Sequence, residues 1–134
     1  MNKRKKIFVI GPNKCGTSSL HNFFLENKLK SAHWNRGNLA LKIVSNISAN
    51  LDPLSDLEEY DCFSDMNFIT EGLYVSPLSF IKNLVEYYPE DIYIQNTRNY
   101  KDWDKSRLRH GKSYDQGSLN ERLQNTFGKR YDSN

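Results

Sequence analysis

Lys6-Ile7-Phe8-Val9-Ile10-Gly11-Pro12-Asn13-Lys14-Cys15-Gly16-Thr17-Ser18-Ser19-Leu20 runs from an apolar stretch, through a glycine-bounded turn, into residues with helical spacing. The segment Lys6 to Ile10 is apolar and β-branched after its lysine, the composition of a buried strand. Leu20, Phe23 and Phe24 fall on one face of a helix expected over Thr17 to Asn27. Between them lies a short loop holding one lysine and followed by three hydroxyl residues. Strand, loop and helix N-terminus together form a ring of backbone N–H donors that can cradle a phosphate. Gly11 and Gly16 have the spacing of the G-x-x-x-x-G-K-[ST] box, but Thr17 stands where that box has its lysine. The cation sits inside the loop instead, at Lys14. The loop therefore reads as an anion site that departs from an ordinary nucleoside-triphosphatase.

Strand and helix signals alternate outward from this segment. Short strands are expected at Lys30 to Trp34, Tyr60 to Ser64 and Asp91 to Gln95. Leu39, Ile43, Val44 and Ile47 give a helix over Asn38 to Asn50, stopped by Asp52-Pro53. Leu78, Ile81, Leu84, Val85 and Tyr88 form one stripe of a helix over Pro77 to Tyr88, with Pro77 in its first turn. A last helix is expected over Trp103 to His110. Alternation of this kind predicts an α/β fold: three α/β/α layers around a central parallel sheet, of the P-loop nucleotide-binding type.

Composition narrows the class. A chain of 134 residues holds one domain with one core, read as 1–134. A net charge of +3 suits an anionic ligand but is too weak for a nucleic-acid surface. The basic start, Asn2 to Lys6, reads as a solvated lead-in to the first strand. No stretch approaches the ~20 apolar residues of a membrane span, and Ile7 to Ile10 is too short for a signal-peptide core. Cys15 and Cys62 are far apart, so the expectation is reduced thiols in a cytoplasmic setting. Asn46-Ile47-Ser48 fits a glycosylation sequon but carries little weight without a signal peptide. Residues 112–134 turn polar, with one weak stripe of Leu119, Leu123 and Phe127, and read either as a loosely packed tail or as one ordered by a partner chain through that stripe, as in a homodimer.

The segment Asp91 to Ser106 repeats the layout of the first: strand, then a cation at Arg98, then a helix carrying Ser106 eight residues on. In open α/β sheets ligands sit outside the carboxyl ends of strands. A guanidinium and a hydroxyl there make a clamp for a second phosphate.

The two segments together resemble the sulfotransferases that use 3′-phosphoadenosine 5′-phosphosulfate (PAPS), specifically a bacterial branch of these P-loop enzymes. The family's first loop reads P-K-x-G-T-[TS]-[SW]-L; here Pro12-Asn13-Lys14-Cys15-Gly16-Thr17-Ser18-Ser19-Leu20 matches with one residue inserted between Pro and Lys. Its second motif is a strand, an Arg and a Ser eight residues later, as Arg98 and Ser106 stand here. Tyr60-Asp61-Cys62-Phe63-Ser64-Asp65 also looks like the segment before that branch's substrate cleft. The resemblance covers roughly residues 6–110. It implies PAPS as cofactor, 3′-phosphoadenosine 5′-phosphate as product, and no metal. It implies that Asn13, Lys14, Cys15, Gly16, Thr17, Ser18 and Ser19 surround the 5′-phosphosulfate and that Arg98 and Ser106 hold the 3′-phosphate. Members of the family are usually longer, so a reduced or truncated member is expected.

Sulfuryl transfer builds charge on the leaving oxygen, which Lys14 can neutralise. It also needs a general base for the acceptor. Asp65, ending the strand at Tyr60 to Ser64, and His33, following a strand, are the two candidates, with Asp65 slightly preferred. His21 and His110 read as structural or surface residues, and Cys15 as a small filler rather than a nucleophile. The expected partner is a small-molecule or carbohydrate acceptor, with no nucleic acid and no membrane span. Two other readings stay open: a kinase-like P-loop enzyme using ATP and Mg²⁺, and a non-catalytic nucleotide-binding remnant.

Overall fold

Parallel pairing of four three-residue strands organises the chain in the computed structural model, which describes residues 4–12 and 14–109. The strands are β1 (Ile7–Val9), β2 (Ser31–His33), β3 (Cys62–Ser64) and β6 (Ile92–Ile94), in the order β2-β3-β1-β6. Parallel strands need crossover connections, and helices supply them: α1 (Thr17–Glu26), α2 (Asn38–Ser48) and α3 (Ile81–Tyr87), with α4 (Tyr100–Arg109) following the last strand. The parallel α/β architecture expected from the alternating pattern is therefore present.

Register decides the two cores. Phe8 lies opposite Phe63 and Tyr93. Side chains alternate along a strand, so these three share one face. The Phe8 ring stacks on both neighbours, with centroids 5.4 Å from Phe63 and 5.2 Å from Tyr93. Leu39, Ala40 and Ile43 of α2 and Leu84 of α3 cover this face. On the opposite face Val9 and Cys62 pack against Phe24 of α1, with Leu20 and Ile94 beside them. The sheet thus has helices on both sides.

This topology sets a switch point between β1 and β3. β1 feeds α1 on one face, while β3 leads through a hairpin to α3 on the other. β1 and β3 are neighbours, so their connections leave on opposite sides and part at the carboxyl ends. Ligands of open α/β sheets bind at such a point.

Three local features differ from the sequence expectation. An antiparallel hairpin, β4 (Phe68–Thr70) and β5 (Leu73–Val75), lies between β3 and α3. Its turn passes through Gly72 at φ 81, a conformation that glycine adopts without strain. The expected helix over Pro77 to Tyr88 is divided. Pro77–Ser79 winds as a 3-10 turn capped reciprocally by Ser76 and Ser79, and Phe80 breaks it before α3. The tighter turn shifts the phase: Phe80 is 3% exposed, whereas Leu78 of the expected stripe is 77% exposed. Finally, Phe24 carries the contact of α1, and Phe23 faces outward.

Two polar residues have structural roles. Lys6 is buried, and its Nζ donates to the carbonyls of Glu58 and Tyr60, so the solvated lead-in ends before it. Asn46, the acceptor position of the sequon, is buried and its Nδ2 donates to Pro53 O and Ser55 O at 3.0 and 2.9 Å. That amide is committed to holding the loop after α2, and it is closed to glycosylation in the folded chain. The expectations on the tail, 112–134, and on His110 lie outside the described residues.

Candidate functional site

The loop after β1 is held by the segment after β6. Ile10 N donates to Ile94 O at 2.8 Å, continuing the ladder. Asn96 then bridges the loop: its Oδ1 accepts from Gly11 N at 2.8 Å and its Nδ2 donates to Cys15 O at 2.9 Å. This contact explains Gly11. A Cβ there would lie 2.0 Å from Asn96 O, so the first glycine is required by the neighbouring strand segment.

Gly16 has a different reason. It adopts φ 80, ψ 22 as the N-cap of α1, and open space surrounds the position a Cβ would take. Lys14 is also left-handed, at φ 61. α1 begins with no side-chain cap and no acidic residue in its first turn. The first N–H groups of a helix have no intrahelical acceptor, so this uncapped end can take an anion. Thr17 and Cys15 are buried, while Ser18 and Ser19 are exposed. Burial pushes the Cys15 thiol up, against the opposing pull of Arg98, so thiolate is scarce at neutral pH. Asn13 lies outside the described residues.

Arg98 reaches this loop. Its Nη1 donates to Lys14 O at 3.1 Å, joining positions 84 residues apart. Its other N–H groups retain donor capacity, because a guanidinium carries five. Ser106 stands half-buried on α4, whose start is set by Asn99: the Asn99 Oδ1 accepts from Lys101 N at 3.0 Å. That cap begins the helix three residues earlier than its apolar pattern suggests.

His33 and Asp65, the two candidate bases, form a pair. His33 Nε2 lies 3.9 Å from Asp65 Oδ2, at the carboxyl ends of the adjacent strands β2 and β3. His33 Nδ1 is 2.9 Å from the buried Ser64 Oγ. Asp65 sits at φ 50, and its Oδ1 accepts from Asn67 Nδ2 at 2.8 Å. On its other side His33 stacks on His21 of α1, with ring centroids 4.8 Å apart and planes 22° from parallel. His21 Nδ1 is 2.8 Å from Ser31 Oγ. Burial lowers the His33 pKa, Asp65 opposes that, and His21 adds to it. A cleft of about 600 Å³ is lined by both rings together with Lys42, Leu57 and Tyr60.

All these groups lie at the carboxyl ends of the strands: His33 ends β2, Asp65 follows β3, Lys14 follows β1 and Arg98 follows β6. The sequence alone points to no role for Asn96 or Ser64, and it reads His21 as a structural or surface residue. Asn96 stands at the end of a strand, where a short amide can bridge backbone groups. Ser64 and His21 carry no signal until β2 is paired with β3 and covered by α1. No family model, curated protein or solved structure matches the chain. Among the described residues, no helix is long and apolar enough to cross a membrane.

Proposed function

We propose that this chain is a P-loop sulfotransferase domain of the PAPS-dependent kind, moving a sulfuryl group to a hydroxyl or amine on a small-molecule or carbohydrate acceptor. The observation that carries the proposal is the hydrogen bond from Arg98 to Lys14 O. The two segments that resemble the family's two phosphate motifs are distant in sequence and meet at one point. An anion at the uncapped start of α1 would face the N–H groups of Gly16, Thr17 and Ser18 together with Lys14. Arg98 and Ser106 would hold the 3′-phosphate.

The residues suit such a nucleotide: open space at Gly16, a helix start without its own acidic cap, and two cations nearby. When bound, PAPS would supply the sulfuryl group. Lys14 neutralises negative charge at the loop, where fixed donors act most strongly once water is excluded. His33 is the base we assign. Its Nδ1 lies 2.9 Å from Ser64 Oγ; in the tautomer this role requires, Nδ1–H donates to Oγ and the Nε2 lone pair is left for the acceptor proton. Asp65, 3.9 Å away, then stabilises the imidazolium. The two candidates thereby take different parts of one step.

Thermal shift with 3′-phosphoadenosine 5′-phosphate, ADP and ATP tests the ligand, and turnover of PAPS with an acceptor panel tests the reaction. Selective stabilisation by the 3′-phosphorylated nucleotide, with turnover, is expected. Stronger stabilisation by ATP and Mg²⁺ would replace the proposal with the kinase-like reading. Selective binding without turnover would leave a nucleotide-binding module.

A further inference from the structure

We infer that His21 is a positioning residue for His33, and that the stacked pair presents one proton-accepting imidazole to a hydroxyl-bearing ligand in the cleft beside β2. The inference rests on the sulfotransferase reading for the identity of the reaction, but the coupling between the rings is independent of it.

The geometry is built from three elements. α1 contributes His21, β2 contributes Ser31 and His33, and β3 contributes Ser64. Ser31 and His33 are two apart on one strand, so both side chains stand on the face that α1 covers. Each ring has a hydroxyl at its Nδ1: Ser31 Oγ at 2.8 Å for His21 and Ser64 Oγ at 2.9 Å for His33. With Nδ1 engaged and the flat face of His33 against His21 at 4.8 Å, rotation of the His33 ring is restricted. A surface histidine needs none of this support.

The charges around the pair define how it works. Asp65 at the end of β3 is the anion facing His33. Lys42 of α2 lines the same cleft, but its Nζ is paired with Asp56 at 3.0 Å. Tyr60, before β3, adds a phenol to the cleft wall. The His21 ring stacked on His33 opposes protonation of His33, adding to the larger effect of burial. Burial first, and His21 in addition, favour the neutral His33 ring, which can accept a proton. The step balances simply: the acceptor O–H bond breaks, its proton joins the Nε2 lone pair of His33, and its electron pair stays on the acceptor oxygen.

The test is imidazole NMR on the full chain labelled with ¹⁵N-histidine, in the wild type, in His21→Phe and in Ser31→Ala. His21→Phe keeps a stacking ring and deletes the charge; Ser31→Ala leaves both rings and frees Nδ1 of His21. The His33 titration should move to higher pH in His21→Phe than in the wild type. Ser31→Ala should alter the His33 ring shifts. An unchanged His33 titration and unchanged shifts in both variants would overturn the inference. With PAPS and an acceptor, the acidic limb of the rate profile should move upward with the NMR midpoint in His21→Phe. Turnover whose pH profile ignores His21→Phe would sink the positioning role and keep the sulfotransferase reading. Ring coupling without any sulfuryl transfer would sink that reading and keep the pair.

Discussion

Asn96 holds both ends of the loop after β1, accepting from Gly11 N and donating to Cys15 O. One side chain on the fourth strand segment therefore shapes the turn that follows the first. Asn96→Ala removes two partly buried hydrogen bonds. At about 1 kcal/mol each, the expected loss of folding stability is about 1–3 kcal/mol. Denaturant melts would show it, and a change below about 0.5 kcal/mol would mean that the loop holds its shape without Asn96.

The two loop glycines should fail differently. Gly11→Ala sets a methyl 2.0 Å from Asn96 O and must displace β6 from β1. Gly16→Ala meets no neighbour but keeps a left-handed φ, at a cost of roughly 1–2 kcal/mol. Thermal melts should rank Gly11→Ala as much the more damaging. The reverse order would contradict the account of Gly11 as a close-approach residue.

Arg98→Ala should weaken 3′-phosphoadenosine 5′-phosphate more than ADP. A hydrogen bond to a charged group is worth on the order of 1.5–3 kcal/mol. Arg98→Lys should recover only part, because an ammonium lacks the planar fork. Titration calorimetry compares the two nucleotides; equal weakening of both would remove Arg98 from the 3′-phosphate site. Under the proposed sulfuryl transfer, Lys14→Ala should reduce the single-turnover rate more than nucleotide affinity, since charge on the leaving oxygen would peak in the transition state.

Stability should fall on acidification through His33. Its folded pKa lies below the ordinary value of 6.5, chiefly through burial. Between the folded and unfolded values the unfolded chain binds more protons, so stability rises with pH across that window. The contribution is complete above about pH 6.5 and is lost as pH falls through the folded value. Denaturation from pH 5 to 8 should show this slope in the wild type and a reduced one in His33→Gln. Identical slopes would mean that His33 titrates normally in the folded chain.

Both described thiols should be unreactive in the native state. Cys62 is fully buried, and burial beside Asp61 pushes its thiol up to about 11. Cys15 is 8% exposed, with its thiol also raised. Disulfide-exchange labelling at neutral pH should be slow and should accelerate with denaturant. Fast labelling of Cys15 would reopen it as a nucleophile.

The sequence by itself determined the elements whose residues agree with their local period. Ile7 to Ile10 reads as a strand because its apolar run is continuous, as a strand covered on both faces requires. Thr17 to Asn27 reads as a helix, and α1 covers Thr17–Glu26; the anion cradle between strand and helix stays a proposal drawn from glycine spacing. Local signals also placed β2, β3, β6 and α2, and with them the parallel α/β class. Only the tertiary structure decided what meets at the carboxyl ends of the strands. Strand order sets Asp65 beside the loop strand and Arg98 on its other side, and no local pattern encodes which strands are neighbours. The hairpin β4–β5 escaped because its strands show no inward–outward alternation: both are largely apolar, yet Leu73 and Tyr74 stand exposed. The inward turn of Phe80 escaped because the Ser76–Ser79 cap tightens the backbone and shifts the helical phase. His21 and His33 are twelve positions apart and carry no joint signal; they become a pair only when α1 folds back across β2. Periodicity is a property of neighbours along the chain, while a site is a property of neighbours in space.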